Sequence, residues 1–219
     1  MQVTPMQNTP SFSNYDKQVD MVRSLFLEYD QEALIRKFSL ESDAAWIYLT
    51  YMNAPFRISR ETGRVDSLES GQWRECRAYN AVMTIYDLLC HHKGDRMPAL
   101  SGSWCAIGSF VVTGVQDTGT FTKKFAACFQ DRTEALKAAC LRLGGALQKP
   151  LAGADVTCRI PVTGFFPVML QFWDGDDEFP PKLTLLWDKN ALSFLHFETT
   201  FFLQGDLLER IKALMDEEA

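Results

Sequence analysis

The stretch with the greatest density of reactive side chains is Phe165 to Asn190, FFPVMLQFWDGDDEFPPKLTLLWDKN. It sets Asp174, Asp176, Asp177, Glu178 and Asp188 among Trp173, Trp187 and three prolines. Carboxylates at the ends of apolar strands can supply hard oxygen ligands to a divalent cation, or an acid/base pair shielded from water. A structural role accounts for the same residues. Asp and Gly in an inter-strand turn make local hydrogen bonds, and Pro180-Pro181 stiffens the exit. The spacing also departs from the calcium-loop pattern, which alternates ligands and puts glycine at its sixth position.

Cys90-His91-His92 is the one local cluster of nitrogen and sulfur ligands, and it ends a predicted helix. Neighbouring helical residues point about 100° apart, so His91 and His92 do not converge on a metal unaided. His196 becomes a third imidazole only if tertiary packing delivers it. Without that, a histidine near a helix C-terminus followed by Lys93 simply complements the helix dipole. Nucleophile motifs are missing: Gly102-Ser103-Trp104 and Gly108-Ser109-Phe110 lack the second glycine of a nucleophile elbow, and Gly144-Gly145 is not followed by the residues of a phosphate loop. Six cysteines at 76, 90, 105, 128, 140 and 158 contain no pair at metal or redox spacing, which points to reduced thiols in a cytoplasmic protein.

These groups need elements to hold them. Val19, Val22, Phe26 and Tyr29 recur at helical spacing, and Asp30 caps a second helix carrying Leu34, Ile35 and Phe38. Trp46 to Tyr51 reads as a strand, and PFRISRETGRVDSL as strand, turn and strand. Glu75 to His91 has the i, i+3, i+4 pattern of a helix with Gly94 near its end. Leu100 to Val112 reads as extended chain, followed by a flexible loop from Gly114 to Thr120. Helices are expected at Thr120 to Phe129 and, capped by Asp131, onward to Leu143. Strands Val156 to Val162, Val168 to Trp173 and Leu183 to Trp187 form the centre of a sheet. A last helix begins near His196 to Glu198 and resumes after Gly205. This order predicts an α+β fold, a mixed or mainly antiparallel sheet of about five to seven strands packed with helices. Residues 1–13 are expected to fray as a polar tail, and 14–219 to form one domain with a helical sub-lobe at 74–148.

The 219 residues carry 22 Lys plus Arg against 28 Asp plus Glu, a net charge of -6, which argues against a phosphate backbone or an anionic membrane as partner. Arg57, Arg60 and Arg64 on one hairpin are offset by Glu61 and Asp66. The apolar runs are broken by charge or proline well short of a membrane span. Sixteen Phe, six Tyr and five Trp are a somewhat high aromatic load, most of which must be core, and a residual aromatic cleft rimmed by carboxylates would suit a flat or cationic ligand, or a hydrophobic partner surface.

Two segments carry a family resemblance. FWDGDDEFPPKLTLLWDKNALSFLHFET and IYDLLCHHKGDRMPALSGSW resemble the bacterial and archaeal family known as domain of unknown function 3786. The matching positions are Gly175, Asp176, Asp177, Glu178, Phe179, Pro180, Pro181, Asp188 and Glu198, with Gly94, Leu100, Gly102 and Trp104 upstream. His196-Phe197 stands where the family more often has proline, and Cys105-Ala-Ile where an aromatic is common. The resemblance brings no catalytic activity. It implies an accessory or cofactor-handling role in anaerobes, near iron-sulfur or corrinoid methyl-transfer proteins, with the cofactor itself unspecified.

The leading expectation is a binding or accessory protein for a small molecule or protein partner. Its candidate residues are Trp104, Trp173, Asp174, Asp176, Asp177, Glu178, Phe179, Trp187, Asp188 and Glu198. The alternative is a metal-assisted hydrolase or transferase using Asp176, Asp177, Glu178 and Asp188. That alternative requires at least three oxygen ligands around one point with an open position. A third outcome, Glu178 and Asp188 buried against backbone donors, makes the segment a structural clamp.

Overall fold

A computed structural model describes residues 14–110 and 120–217. The polar tail and most of the Gly114 to Thr120 loop therefore lie outside the described residues. Two helices open the chain, α1 (Asn14–Glu28) and α2 (Gln31–Phe38). The Asp30 carboxylate accepts from the Ala33 N–H, as a capping residue should. Five strands follow as an antiparallel meander: β1 (Glu41–Ser42), β2 (Trp46–Tyr51), β3 (Ala54–Ser59), β4 (Val65–Glu69) and β5 (Gln72–Glu75). Then come α3 (Tyr79–Cys90), β6 (Trp104–Ala106), α4 (Thr120–Phe129), α5 (Thr133–Arg142) and β7 (Ala146–Leu147). The chain finishes with β8 (Val156–Thr163), β9 (Phe166–Trp173), β10 (Lys182–Asp188) and α6 (Phe197–Asp216).

The α+β class and antiparallel pairing match the sequence pattern, but the strands divide into two five-stranded sheets rather than one. The second has the order β6-β10-β9-β8-β7. The three strands expected at the centre are there: β9 is buried from Phe166 to Phe172, which requires cover on both faces. The sheets meet at the tip of the β2–β3 hairpin. Met52 and Asn53 both take left-handed backbone angles, the type I′ geometry that suits a two-residue hairpin. Met52 N–H donates to the Val162 carbonyl at 2.8 Å, and the Asn53 amide donates to the Arg142 carbonyl at 2.9 Å. Buried side chains from both sheets and all six helices form one continuous cluster.

On the first sheet, the Arg57 guanidinium lies 3.6 Å from the Trp46 ring centroid and 4.6 Å from that of Trp73. The buried Asp66 fixes it through bonds of 2.9 and 3.0 Å and also pairs with Arg64. Arg60 in turn bonds Glu32 at 2.5 Å, so the three hairpin arginines are consumed internally.

Three boundaries shift for local reasons. Helix α3 starts at Tyr79 rather than Glu75, because Glu75 pairs with Asp66 in β5 and Cys76 N–H donates to Val65 O. Asp131 does not cap α5. It has φ 59°, and the Asp174 carboxylate instead accepts from Asp131 N–H at 3.0 Å and the Thr133 hydroxyl at 2.9 Å. Helix α6 runs unbroken through Gly205, where a Cβ would lie 2.9 Å from Asn80 Nδ2, so the glycine permits close packing against α3. Residues 74–148 supply α3, α4 and α5, each of which packs against α6. Among the described residues no helix is long and apolar enough to cross a membrane.

Candidate functional site

The turn from Asp174 to Pro181 joins β9 to β10 and is tightly specified. The Asp176 carboxylate accepts from the N–H groups of Glu178 and Phe179 at 2.9 and 2.7 Å, while its own N–H donates to Phe179 O at 2.9 Å. This is the local turn chemistry of an aspartate. Gly175 is required by close approach, since a Cβ there would lie 2.8 Å from Pro181 Cδ. Asp174 spends both oxygens on the α4–α5 junction, and its N–H donates to Asp155 at 2.7 Å. Asp177 and Glu178 are left exposed, and Phe179 is 67% exposed.

Behind the turn lies an open cleft of about 1140 Å³. Trp173, Phe179, Pro180 and Pro181 form its rim. Ile107, Leu183 and Leu185, all buried, form an apolar floor together with Gln204 from α6. The Trp173 indole N–H donates to Ala152 O at 3.1 Å, and the Lys182 ammonium stands 4.7 Å from its ring centroid. Gln204 is only 3% exposed and supplies an amide to the lining of the cleft.

The other half of the sequence motif lies elsewhere. Asp188 is six residues beyond Lys182 along β10, about 20 Å at ordinary strand rise. It is 1% exposed and accepts from Ser101 N–H and hydroxyl, both at 2.9 Å, and from Gly102 and Asn190 N–H groups, both at 2.8 Å. Burial tends to raise its pKa, but the donors of Ser101, Asn190 and Gly102 outweigh that effect and hold it below the ordinary carboxylate range. Asp188 is therefore a clamp on the Ser101 to Ser103 loop. Trp187 is fully buried beside it, and Trp104 pairs with Asp188 across the sheet, away from the turn. Glu198 is exposed in the first turn of α6.

The histidines separate too. The His92 ring folds over Gly94, whose Cβ position would be 2.7 Å from Nε2. His91 is instead brought against His196 and Asp87, and these three form the one group of at least three His, Cys, Asp or Glu ligand atoms among the described residues. The acidic turn forms no such group. Two of these residues escaped the sequence analysis. Gln204 was detectable as the polar member of an apolar helical stripe, and Asp87 as the residue one helical turn before His91.

Comparison with curated proteins and with solved structures returns no match. A family model described as domain of unknown function (DUF3786) matches residues 30–210, which include the turn, the cleft floor and the Asp188 clamp. The chain therefore belongs to the DUF3786 family.

Proposed function

We propose that this protein is a binding or accessory protein whose cleft behind the Asp174 to Pro181 turn takes a small molecule with a flat, largely apolar body and one polar group for Gln204. The apolar floor of the cleft, Ile107, Leu183 and Leu185, with the Gln204 amide in its lining, carries this reading. The volume of about 1140 Å³ exceeds the ordinary span of small-molecule pockets, about 300–1,000 Å³, and so suits an extended ligand. A flat ligand is favoured over a cationic one, because Lys182 already occupies the face of Trp173. The carboxylates speak for binding over metal-assisted hydrolysis at the turn. Asp174 and Asp176 are bound to turn and loop donors, and Asp188 is a strand-length away. The cofactor-handling role in anaerobic metabolism that the family resemblance implies is one form of this reading, and it puts corrinoids and haem in the first panel of ligands.

The test is thermal-shift screening of corrinoids, haem and planar aromatic compounds, followed by titration of Trp173 fluorescence with any hit. Gln204→Leu should weaken a hit by about fivefold, the worth of about 1 kcal/mol for one hydrogen bond. A panel without a shift, or a hit bound equally well by Gln204→Leu and Phe179→Ala, would overturn the assignment of the cleft.

A further inference from the structure

Asp87 lies in the last turn of α3 and His91, still in helical conformation, is the residue that caps it, the i and i+4 spacing that puts two side chains on one helix face. His196 is the residue immediately before α6, and packing of α3 against α6 delivers it to that face. His91 Nε2 is 3.0 Å from the Leu192 carbonyl oxygen. A carbonyl only accepts, so Nε2 carries the proton and the Nδ1 lone pair is free. That lone pair faces His196: Nδ1 is 3.2 Å from His196 Nδ1 and 3.3 Å from its Nε2. On the far side, the Asp87 Oδ1 is 2.6 Å from His196 Nδ1, and Oδ2 accepts the His196 backbone N–H at 2.7 Å.

We propose that Asp87, His91 and His196 form a binding site for a divalent transition-metal ion of the zinc, cobalt or nickel kind. Metal–nitrogen bonds of about 2.0–2.1 Å set neighbouring tetrahedral ligands about 3.3 Å apart, which is the separation already held between the two imidazoles. The Leu192 carbonyl is the outer-shell partner that orients a metal-binding histidine by holding its other ring nitrogen. Only the Asp87–His196 contact is shorter than a shared metal requires. A proton now occupies it, and the metal takes that place when the His196 ring, 62% exposed along its side chain, swings outward. Two imidazole nitrogens and one carboxylate oxygen select borderline ions over magnesium or calcium. Three protein ligands leave a further position open toward solvent on the His196 side.

Capping of α6 explains only part of the arrangement. Asp87 Oδ2 satisfies the His196 N–H without help from His91, yet the His91 ring meets His196 edge to face at a centroid distance of 4.1 Å. The site is independent of the cleft and stands or falls without it.

The experiment titrates the chelator-treated full chain with zinc, cobalt and nickel ions by calorimetry, and records the visible ligand-field spectrum of the cobalt form. One equivalent should bind, and magnesium and calcium should not. His91→Gln and His196→Gln should each weaken binding by at least about tenfold, the lower end of what outer-shell losses alone cost. His92→Gln should bind as wild type. Circular dichroism confirms that each variant is folded, and the imidazole variants carry the test because Asp87 also holds the start of α6. Absence of stoichiometric binding would overturn the proposal, as would affinity unchanged in both imidazole variants. Loss in His92→Gln with retention in His196→Gln would overturn it too, since the ligands would then be sequence neighbours.

Discussion

Asp188→Asn separates a clamp from a site. The carboxylate takes Ser101 N–H, the Ser101 hydroxyl and Asn190 N–H on Oδ1, and Gly102 N–H on Oδ2. An amide oxygen in the Oδ1 position keeps three donors but turns its NH2 against the Gly102 N–H, a donor facing a donor. Losing one bond to a charged acceptor costs about 1.5–3 kcal/mol, and the remaining three lose their charge assistance. The sum is about 3 kcal/mol, which for a chain of this size corresponds to a fall in Tm of roughly 6–12 °C. Urea unfolding and thermal melts at neutral pH read it directly. The sign with pH follows from the depressed native pKa. The contribution is fully present above the unfolded value near 4, and it is lost as pH falls through the lower native value. The wild-type advantage should therefore hold down to about pH 4 and shrink below it, whereas Asp188→Asn should lack this component. A variant within about 1 kcal/mol of wild type, but with weakened ligand binding, would refute the clamp and return Asp188 to the site.

Two further outcomes test the packing. Phe129→Ala should cost about 3–5 kcal/mol in urea unfolding, because the ring is fully buried between Phe125 and Phe172 and joins α4 to the second sheet. A loss under about 1 kcal/mol would mean that α4 does not seat there. Cys90 should resist alkylation in the native protein at pH 8: burial, reinforced by the Asp87 charge against an opposing Lys37, pushes its pKa up to about 12. The thiolate is then roughly one part in ten thousand, and mass spectrometry should find Cys90 labelled only after unfolding.

Much of the element order follows from local chemistry. Period-3.6 stripes marked α1, α2 and α3, the Asp30 cap marked the start of α2, and apolar runs marked β8, β9 and β10. Local signals failed where a distant partner decided the outcome. Nothing near Glu75 announces that it pairs with Asp66, nothing at Asp131 shows that Asp174 will bond its N–H, and Gly205 reads as a helix break until Asn80 is seen against it. The junction between the two sheets likewise rests on the Met52 to Val162 hydrogen bond, between segments far apart in sequence.

The site divides along the same line. By itself the sequence determined that residues 174–181 make a rigid, acidic, aromatic-flanked turn, since the proline, glycine and aspartate chemistry of that turn is contained within it. It could not show that the five acidic residues are not one cluster. A strand rises about 3.3 Å per residue, so β10 carries Asp188 away to a different end of the sheet and a different task. Nor could it show that His91 and His196, separated by α4, α5 and the whole second sheet, would come to 3.2 Å of each other. Sequence proximity sets local hydrogen bonding, but convergence of ligand atoms depends on which helix faces pack together, and only the tertiary structure settles that.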